Sequence, residues 1–140
     1  MHSLVYRSVA SESFTLSEIY KMLSDARDSN ADHGITGCLL YHNNHFLQLL
    51  EGTKEEVLSL YNRIKKDPRH REVITLMEEP RSERIFDDWS MAFHDYGQNG
   101  SSSYIKMKQI DDFFAKSGAY EKPSKLAIPF FTNVREILFG

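Results

Sequence analysis

An amide lies in the middle of an apolar segment of the sequence. Gln48 is flanked by Leu47 and Leu49 within FLQLLEG (46–52), which is otherwise typical of a buried strand. A buried amide without partners costs roughly 1–3 kcal/mol, so Gln48 must find hydrogen-bond partners. Because a carboxamide offers both a donor and an acceptor, it is suited to binding a polar ligand or to switching between two hydrogen-bond arrangements.

Two further polar residues are predicted to meet Gln48. Alternation in SLVYRSVA (3–10) places Tyr6 on one face of a first strand. Asn30 lies seven residues after Leu23, on the apolar stripe of the first helix. Singly, such residues more often bond to nearby backbone. Together, a phenol and two amides offer more donors and acceptors than they satisfy among themselves, which favours a polar ligand between the helices and the sheet.

The elements that must position these residues alternate between strand and helix. Capping boxes predict helices that begin after Thr15 and Thr53, and the second helix is expected to end at Asp67, before a proline. Phe14 and Ile19 are placed to form a hydrophobic staple at the start of the first helix. Patterning predicts strands at 3–10, 33–41, 46–51, 71–79 and 89–95.

The order β-α-β-β-α-β followed by an extra strand predicts an α+β fold. It is typical of a ferredoxin-like sandwich, in which the helices pack on one face of a mostly antiparallel sheet. In that fold the first and third strands are central neighbours, so Tyr6 is expected to lie across from Gln48.

The chain after residue 96 is predicted to form a separate helical part. GQNGSSS (97–103) is the nearest segment to a linker, and it divides a domain of residues 1–96 from an extension of residues 97–140. Helices are predicted at 104–117 and 124–139, the second with an apolar stripe that includes Phe131. We expect this stripe to bury itself on the open face of the sheet or against a second copy of the chain, which predicts a homo-oligomer.

Composition limits the class of protein. The chain of 140 residues is 41% hydrophobic and 26% charged, which indicates one globular domain with a substantial core. Its net charge of −3 argues against a nucleic-acid partner, and no apolar run is long enough to predict a membrane span. The single cysteine, Cys38, and the lack of a secretory signal favour a cytoplasmic location.

Five segments taken together resemble a known family. They are LVYRS, SNADHGITGCLLY, FLQLLEG, DPRHREV and RIFDDWSM, in this order over residues 3–93. No single segment is specific, but the set resembles the BLUF family, the blue-light sensors that use FAD. The resemblance implies FAD as the cofactor, with Tyr6 as the photoactive tyrosine and Gln48 as the switching glutamine.

The resemblance also implies roles for other residues. Asn30 would bond to the flavin ring, and Trp89 and Met91 would belong to the signal output of the fifth strand. Ser29 stands where several members carry Asn or His, which puts the tuning of the spectrum at this position in question. The remaining implied cofactor contacts are Ile35 and Thr36 at the ring edge, and Arg69 and His70 near the phosphates.

The sequence and the resemblance together predict a short stand-alone sensor without enzymatic activity. Its output is expected to be a change in self-association or in binding to a downstream protein that the sequence does not identify. A small acyl-phosphate hydrolase is disfavoured because VASESFT (9–15) lacks an arginine and a glycine-rich loop. An RNA-binding sheet is disfavoured because the central strands lack exposed aromatic residues. The alternative that stays open is a cofactor-free protein-interaction module.

Overall fold

The fold is a five-stranded sheet with two helices on one face. The computed structural model describes residues 1–12, 15–42, 44–86, 92–95, 131–132 and 135–136. Its elements are β1 (His2–Ala10), α1 (Leu16–Asp32), β2 (Thr36–His42), β3 (His45–Gly52), α2 (Lys54–Lys66), β4 (His70–Pro80) and β5 (Ala92–Asp95). The strand order is β4-β1-β3-β2-β5, with four antiparallel strands and β5 parallel to β2. This confirms the predicted ferredoxin-like α+β fold with a fifth strand.

Both helices begin at the predicted caps. The Thr15 hydroxyl accepts a hydrogen bond from the Glu18 backbone N–H at 3.2 Å, and the Glu18 carboxylate accepts from the Thr15 backbone N–H, which completes the capping box. The Thr53 hydroxyl accepts from the Glu56 N–H at 3.2 Å at the start of α2. Helix α2 ends at Lys66, before Asp67, as the following proline requires. Phe14, predicted to staple α1, lies outside the described residues.

The predicted start of β2 is wrong, because residues 33 and 34 belong to the end of α1. The strand was expected from residue 33, but it begins at Thr36. His33 is the C-cap of α1, and Gly34 adopts φ +66°, the left-handed conformation that glycine favours. The Gly34 N–H donates to the Ala31 carbonyl at 3.2 Å and the Ile35 N–H to the Asn30 carbonyl at 2.9 Å. These two bonds form a Schellman motif, which ends the helix and turns the chain into the sheet.

The central strands β1 and β3 of the sheet are buried on both faces. We call the face that contacts α1 and α2 the helix face and the opposite one the far face. The helix face carries the core cluster that includes Leu4, Tyr6 and Phe46 from the sheet and Ile19 and Val57 from the helices. Alternation along β3 directs its other residues to the far face, and Leu47, Leu49 and Glu51 are fully buried there. Strand β3 therefore lies inside the protein over nearly its whole length.

Gly37 permits the close pairing of β2 with β3. Its φ is +154°, and a Cβ atom at this position would lie 1.9 Å from the backbone oxygen of Leu49. A side chain is excluded by this contact, so only glycine fits beside the strand that carries Gln48.

Several predictions concern residues outside the described part of the chain. These include Trp89 and Met91, the first half of the predicted fifth strand and the domain boundary at 96. Of the predicted C-terminal helices, only 131–132 and 135–136 are described, and these four residues are helical. Phe131 is fully buried. Within the described residues, no helix has the length and apolarity needed to cross a bilayer.

Candidate functional site

Tyr6 and Gln48 form a hydrogen-bonded pair at the centre of the sheet. They lie directly across from each other in the antiparallel β1–β3 pairing. The Tyr6 hydroxyl donates to Oε1 of Gln48. Their side chains are buried on the helix face, where Tyr6 is 1% and Gln48 7% exposed. The pairing predicted from strand order is therefore present, and water has little access to it.

Tyr6 is held by its neighbours as a neutral phenol. Its ring packs against Tyr61 of α2 at 5.3 Å between centroids, and the Tyr61 hydroxyl is fixed by a 2.6 Å hydrogen bond to Thr75 of β4. Burial raises the pKa of Tyr6 well above its ordinary value, and electrostatic interactions with Tyr61 and with the Asp67 carboxylate raise it further. The hydroxyl therefore keeps its proton and can act as the donor to Gln48.

A cavity of about 200 Å³ lies beside this pair, between α1, α2 and the sheet. It opens to the surface near Arg63 and Arg69, whose side chains are exposed. Ala26 leaves space in the wall that α1 contributes. The polar lining consists of Tyr6, Asn30, Gln48, Arg63, Asp67, Arg69 and His70, and the apolar lining of Met22, Ala26, Leu39, Leu60 and Ile64.

Asn30 brings a buried amide to the cavity from the end of α1. It is 4% exposed, and its side chain forms no hydrogen bond with any residue in the described part of the chain. The Schellman motif fixes its backbone through the bond from Ile35. Since a buried amide is costly without partners, the position favours a ligand that offers a donor or an acceptor.

His70 is a buried residue of the cavity lining. Its Nδ1 lies 2.9 Å from the Ser8 hydroxyl, and its ring lies 5.0 Å from that of Phe46. The pKa of His70 is lowered to about 4, mainly by burial; Asp67 opposes this shift and Arg69 adds to it. At neutral pH the imidazole is uncharged, so it offers a ligand a hydrogen bond or a ring contact rather than a positive charge.

Arg69 and Asp67 form an ion pair at the mouth of the cavity. The Arg69 Nε lies 2.9 Å from Oδ1 of Asp67, and Nη2 lies 2.5 Å from Oδ2. Hydrogen bonds from Arg69 lower the pKa of Asp67, which keeps the carboxylate charged. The pair fixes the Arg69 guanidinium but offsets its charge locally. Arg63 is a second cation at the same opening.

Three predicted contact residues lie outside the cavity lining. Ile35 is buried in the helix-face core, and Ser29 is half-buried, with its carbonyl 2.8 Å from His33 Nδ1. The Thr36 hydroxyl donates to the Glu51 carboxylate at 3.1 Å, on the far face of the sheet. Their contacts with a cofactor stay predictions, as do the roles of Trp89 and Met91.

Most of the residues with which α1 and α2 line the cavity were not identified from the sequence. The α1 wall follows a spacing of four residues through Met22, Ala26 and Asn30, and Leu60 and Ile64 of α2 show the same spacing. These repeats were available in the sequence, but apolar residues at helical spacing are equally typical of a closed core. No pattern in the sequence marked Arg63 as a residue of a binding site.

The cavity fits a planar ring with one polar edge. Its volume is below the roughly 300–1,000 Å³ of common ligand clefts, which suits part of a larger ligand whose remainder extends past the opening. The apolar residues of the lining would contact the faces of such a ring, and Asn30 and Gln48 would bond to its edge. Two arginines at the opening suit phosphate groups outside. The isoalloxazine and diphosphate of FAD have this distribution of groups.

The fold is thus a ferredoxin-like domain with a cavity between two helices and a sheet, and the lining of this cavity suits a flat ring with a polar edge. The chain belongs to the BLUF family, the sensors of blue light using FAD, whose family model matches residues 1–92. FAD is the flavin of this family, which confirms the cofactor implied by the resemblance.

Known proteins share this domain in different contexts. The photoactivated adenylate cyclase subunit beta of Euglena gracilis is 38% identical over 90 residues, which are 64% of this chain and 10% of that protein. The blue light- and temperature-regulated antirepressor BluF of Escherichia coli K12 is 36% identical over 93 residues, which are 66% of this chain and 23% of BluF. The chain therefore spans less than a quarter of the length of either relative.

A solved structure matches the chain over nearly all of its length. The BlsA ground state has a TM-score of 0.74 and 31% sequence identity, and the match covers 99% of this chain and 88% of BlsA. This similarity confirms the fold.

Proposed function

We propose that this protein is a blue-light receptor in which Tyr6 and Gln48 form a two-state hydrogen-bond switch beside FAD. The observation that carries the proposal is the buried hydrogen bond from Tyr6 to Gln48 at the wall of a ring-sized cavity. The buried amide of Asn30 on the same cavity, which has no side-chain hydrogen bond to the described residues, supports it, because it would supply a bond for the edge of the ring.

Tyr6 is the electron and proton donor of the proposed switch. Bound flavin supplies absorption of blue light and, once excited, a strong one-electron oxidant. Tyr6 gives up one electron and its phenolic proton, and the hydrogen bond to Gln48 provides the path for the proton. Tyr6 later regains both, so the chemical change is limited to the amide. Because the pKa of Tyr6 is raised, the phenol is fully protonated before illumination.

Gln48 stores the result as a changed hydrogen-bond pattern. In the structure its Oε1 accepts from Tyr6. Rotation or tautomerisation of the amide exchanges donor and acceptor sides, so the residue would offer a different group to the ring edge. The two arrangements are the states of a local switch. This explains why an amide, rather than an apolar residue, occupies the strand.

Asn30, Arg63 and Arg69 would hold the cofactor from its two ends. Asn30 would bond to the ring, and the two arginines would lie near the phosphates. His70 would form an uncharged part of the wall.

The output of the switch is proposed to be non-enzymatic. We infer that a changed fifth strand, through Trp89 and Met91, alters self-association or the binding of a downstream protein by residues 97–140. Size-exclusion chromatography with light scattering, in the dark and under blue light, tests self-association. The same monomer in both conditions would contradict this version of the output.

Absorption spectroscopy tests the switch itself. The purified protein should be yellow, and blue light should shift its flavin spectrum reversibly. Tyr6→Phe should retain flavin but lose the shift, because the phenolic donor is gone. Tyr61→Phe is the matched control, since it removes a hydroxyl that bonds to Thr75 instead, and it should keep the shift. A normal photocycle in Tyr6→Phe would contradict the role of Tyr6. A colourless protein after expression with ample FAD would favour the cofactor-free interaction module.

A further inference from the structure

A carboxylate is buried on the side of β3 that faces away from the cavity. Glu51 lies three residues after Gln48, on the far face, and is fully buried. Its Oε2 accepts from the backbone N–H of Ile85 at 2.5 Å, and its Oε1 accepts from the N–H of Phe86 at 3.0 Å. The Thr36 hydroxyl donates to the same carboxylate at 3.1 Å. A buried carboxylate is tolerated when several donors converge on it, as they do here.

Arg84 belongs to the same hydrogen-bond network. Its Nη1 donates to the Thr36 hydroxyl at 2.9 Å and to the Glu51 backbone carbonyl at 3.2 Å. Residues 84–86 are therefore bound to β3 through both the side chain and the backbone of Glu51. Ile85 and Phe86 are buried as well, so water does not compete for these hydrogen bonds.

The anchored segment lies on the route from β4 to β5. It follows the end of β4 at Pro80, and five residues separate Phe86 from the start of β5 at Ala92. Strand β5 has its own contact with the sheet, the parallel pairing with β2 that begins at Cys38 and Ala92. The Glu51 contacts are a second connection, and they join this part of the chain to the strand that carries Gln48.

We propose that Glu51 is a positioning residue that fixes the segment before β5 to β3, so that a displacement of β3 at Gln48 is passed to β5. This rests on the proposed photoswitch for its light-dependent part only. Glu51 does not contact the cavity; it acts through the backbone N–H groups of Ile85 and Phe86. A glutamine in its place offers one acceptor oxygen and an NH₂ group, so it cannot accept from both N–H groups with the same geometry.

Amide hydrogen exchange in the dark tests the anchor, with the flavin-loaded protein. In Glu51→Gln, the Ile85 and Phe86 amides should exchange about tenfold faster or more, because a buried bond to a charged acceptor is lost. Glu83→Gln is the matched control: it makes the same charge change at an exposed position of the same segment, and exchange should stay as in wild type. Unchanged exchange in Glu51→Gln would overturn the anchor, whether or not the protein responds to light.

The light-dependent part is tested on the same samples. Glu51→Gln should keep the flavin spectral shift, while the difference in exchange between light and dark at Ala92–Asp95 should fall several-fold from that of wild type. A purely structural residue would change dark exchange and leave this light-induced difference intact, and that result would overturn the positioning role. Loss of the spectral shift in wild type would instead refute the proposed photoswitch.

A second variant covers the case in which Glu51→Gln does not fold. Arg84→Met keeps the carboxylate and removes the guanidinium bonds to Thr36 and to the Glu51 carbonyl. It should raise exchange at Ile85 and Phe86 by a smaller factor and reduce the light-induced difference at β5 in proportion. Wild-type values for both measurements in this variant would contradict the proposal.

Discussion

The hydrogen bond between Tyr6 and Gln48 should be measurable as a coupling between two substitutions. Tyr6→Phe removes the donor and keeps the ring that packs on Tyr61. Gln48→Leu removes the acceptor and keeps a branched side chain. Tyr6 is 1% and Gln48 7% exposed, so each single substitution leaves a buried polar group with little access to outside water. Each single substitution should therefore cost about 1–3 kcal/mol of unfolding free energy.

The double variant should cost less than the sum of the two. Once both partners are gone, neither polar group is left buried without its partner, and a pair of apolar groups fits the core. We expect the sum of the single losses to exceed the loss in the double variant by about 1 kcal/mol or more. Urea unfolding at several FAD concentrations, extrapolated to zero FAD, removes the contribution of altered flavin binding.

A second double-mutant cycle distinguishes this coupling from a general destabilisation of the core. Tyr61→Phe removes a hydroxyl that bonds to Thr75 and not to Gln48. In the double variant with Gln48→Leu, the loss of unfolding free energy should equal the sum of the two single losses to within about 0.5 kcal/mol. If the Tyr6 and Gln48 losses added equally well, the hydrogen bond would contribute nothing to stability and the reasoning from burial would be refuted.

Three other substitutions test the cavity, the buried histidine and the β2–β3 hairpin. Ala26→Phe should fill the cavity, so that flavin no longer copurifies while circular dichroism stays native; Ala31→Phe, at an exposed position of the same helix, should retain the flavin. Because the folded pKa of His70 is about 4 against an ordinary 6.5, the unfolded chain takes up a proton first as pH falls. The unfolding free energy of wild type should fall by up to about 3 kcal/mol between pH 6.5 and pH 4. An unfolding free energy that falls equally steeply with pH in His70→Gln would contradict this. Gly37→Ala should cost about 3 kcal/mol or more in urea unfolding, because its Cβ would meet the Leu49 oxygen at 1.9 Å; wild-type stability would rule out the close contact.

Sequence patterns were sufficient to predict the two strands that carry Tyr6 and Gln48. Period-two alternation fixed which faces Tyr6 and Gln48 occupy, and the order of elements made their strands neighbours. The seven-residue spacing from Leu23 placed Asn30 on the buried side of α1. These inferences succeeded because each depends on a backbone period that tertiary contacts do not alter.

Patterns were insufficient where one residue serves two elements. Gly34 was assigned to a strand, although a glycine after a helix is also typical of a C-cap. Asp67 was interpreted only as the end of α2, yet its carboxylate also pairs with Arg69. Glu51 was predicted only as the last residue of a strand. Its carboxylate accepts from the backbone N–H groups of residues 85 and 86, and a backbone group has no signature in the sequence. Such long-range partners are known only once the fold is assembled.

The polar residues on opposite faces of β3 also bear on how the hairpin finds its correct pairing. A slip by one residue would move Gln48 to the far face and Glu51 toward the helices. Leucines at 47, 49 and 50 would tolerate the exchange, since either layer is apolar. The amide and the carboxylate would not, because each would lose its donors at once. Misregistered folding intermediates are thus destabilised on both sides of the strand, so the residues proposed to form the switch and its anchor would also favour the correct register.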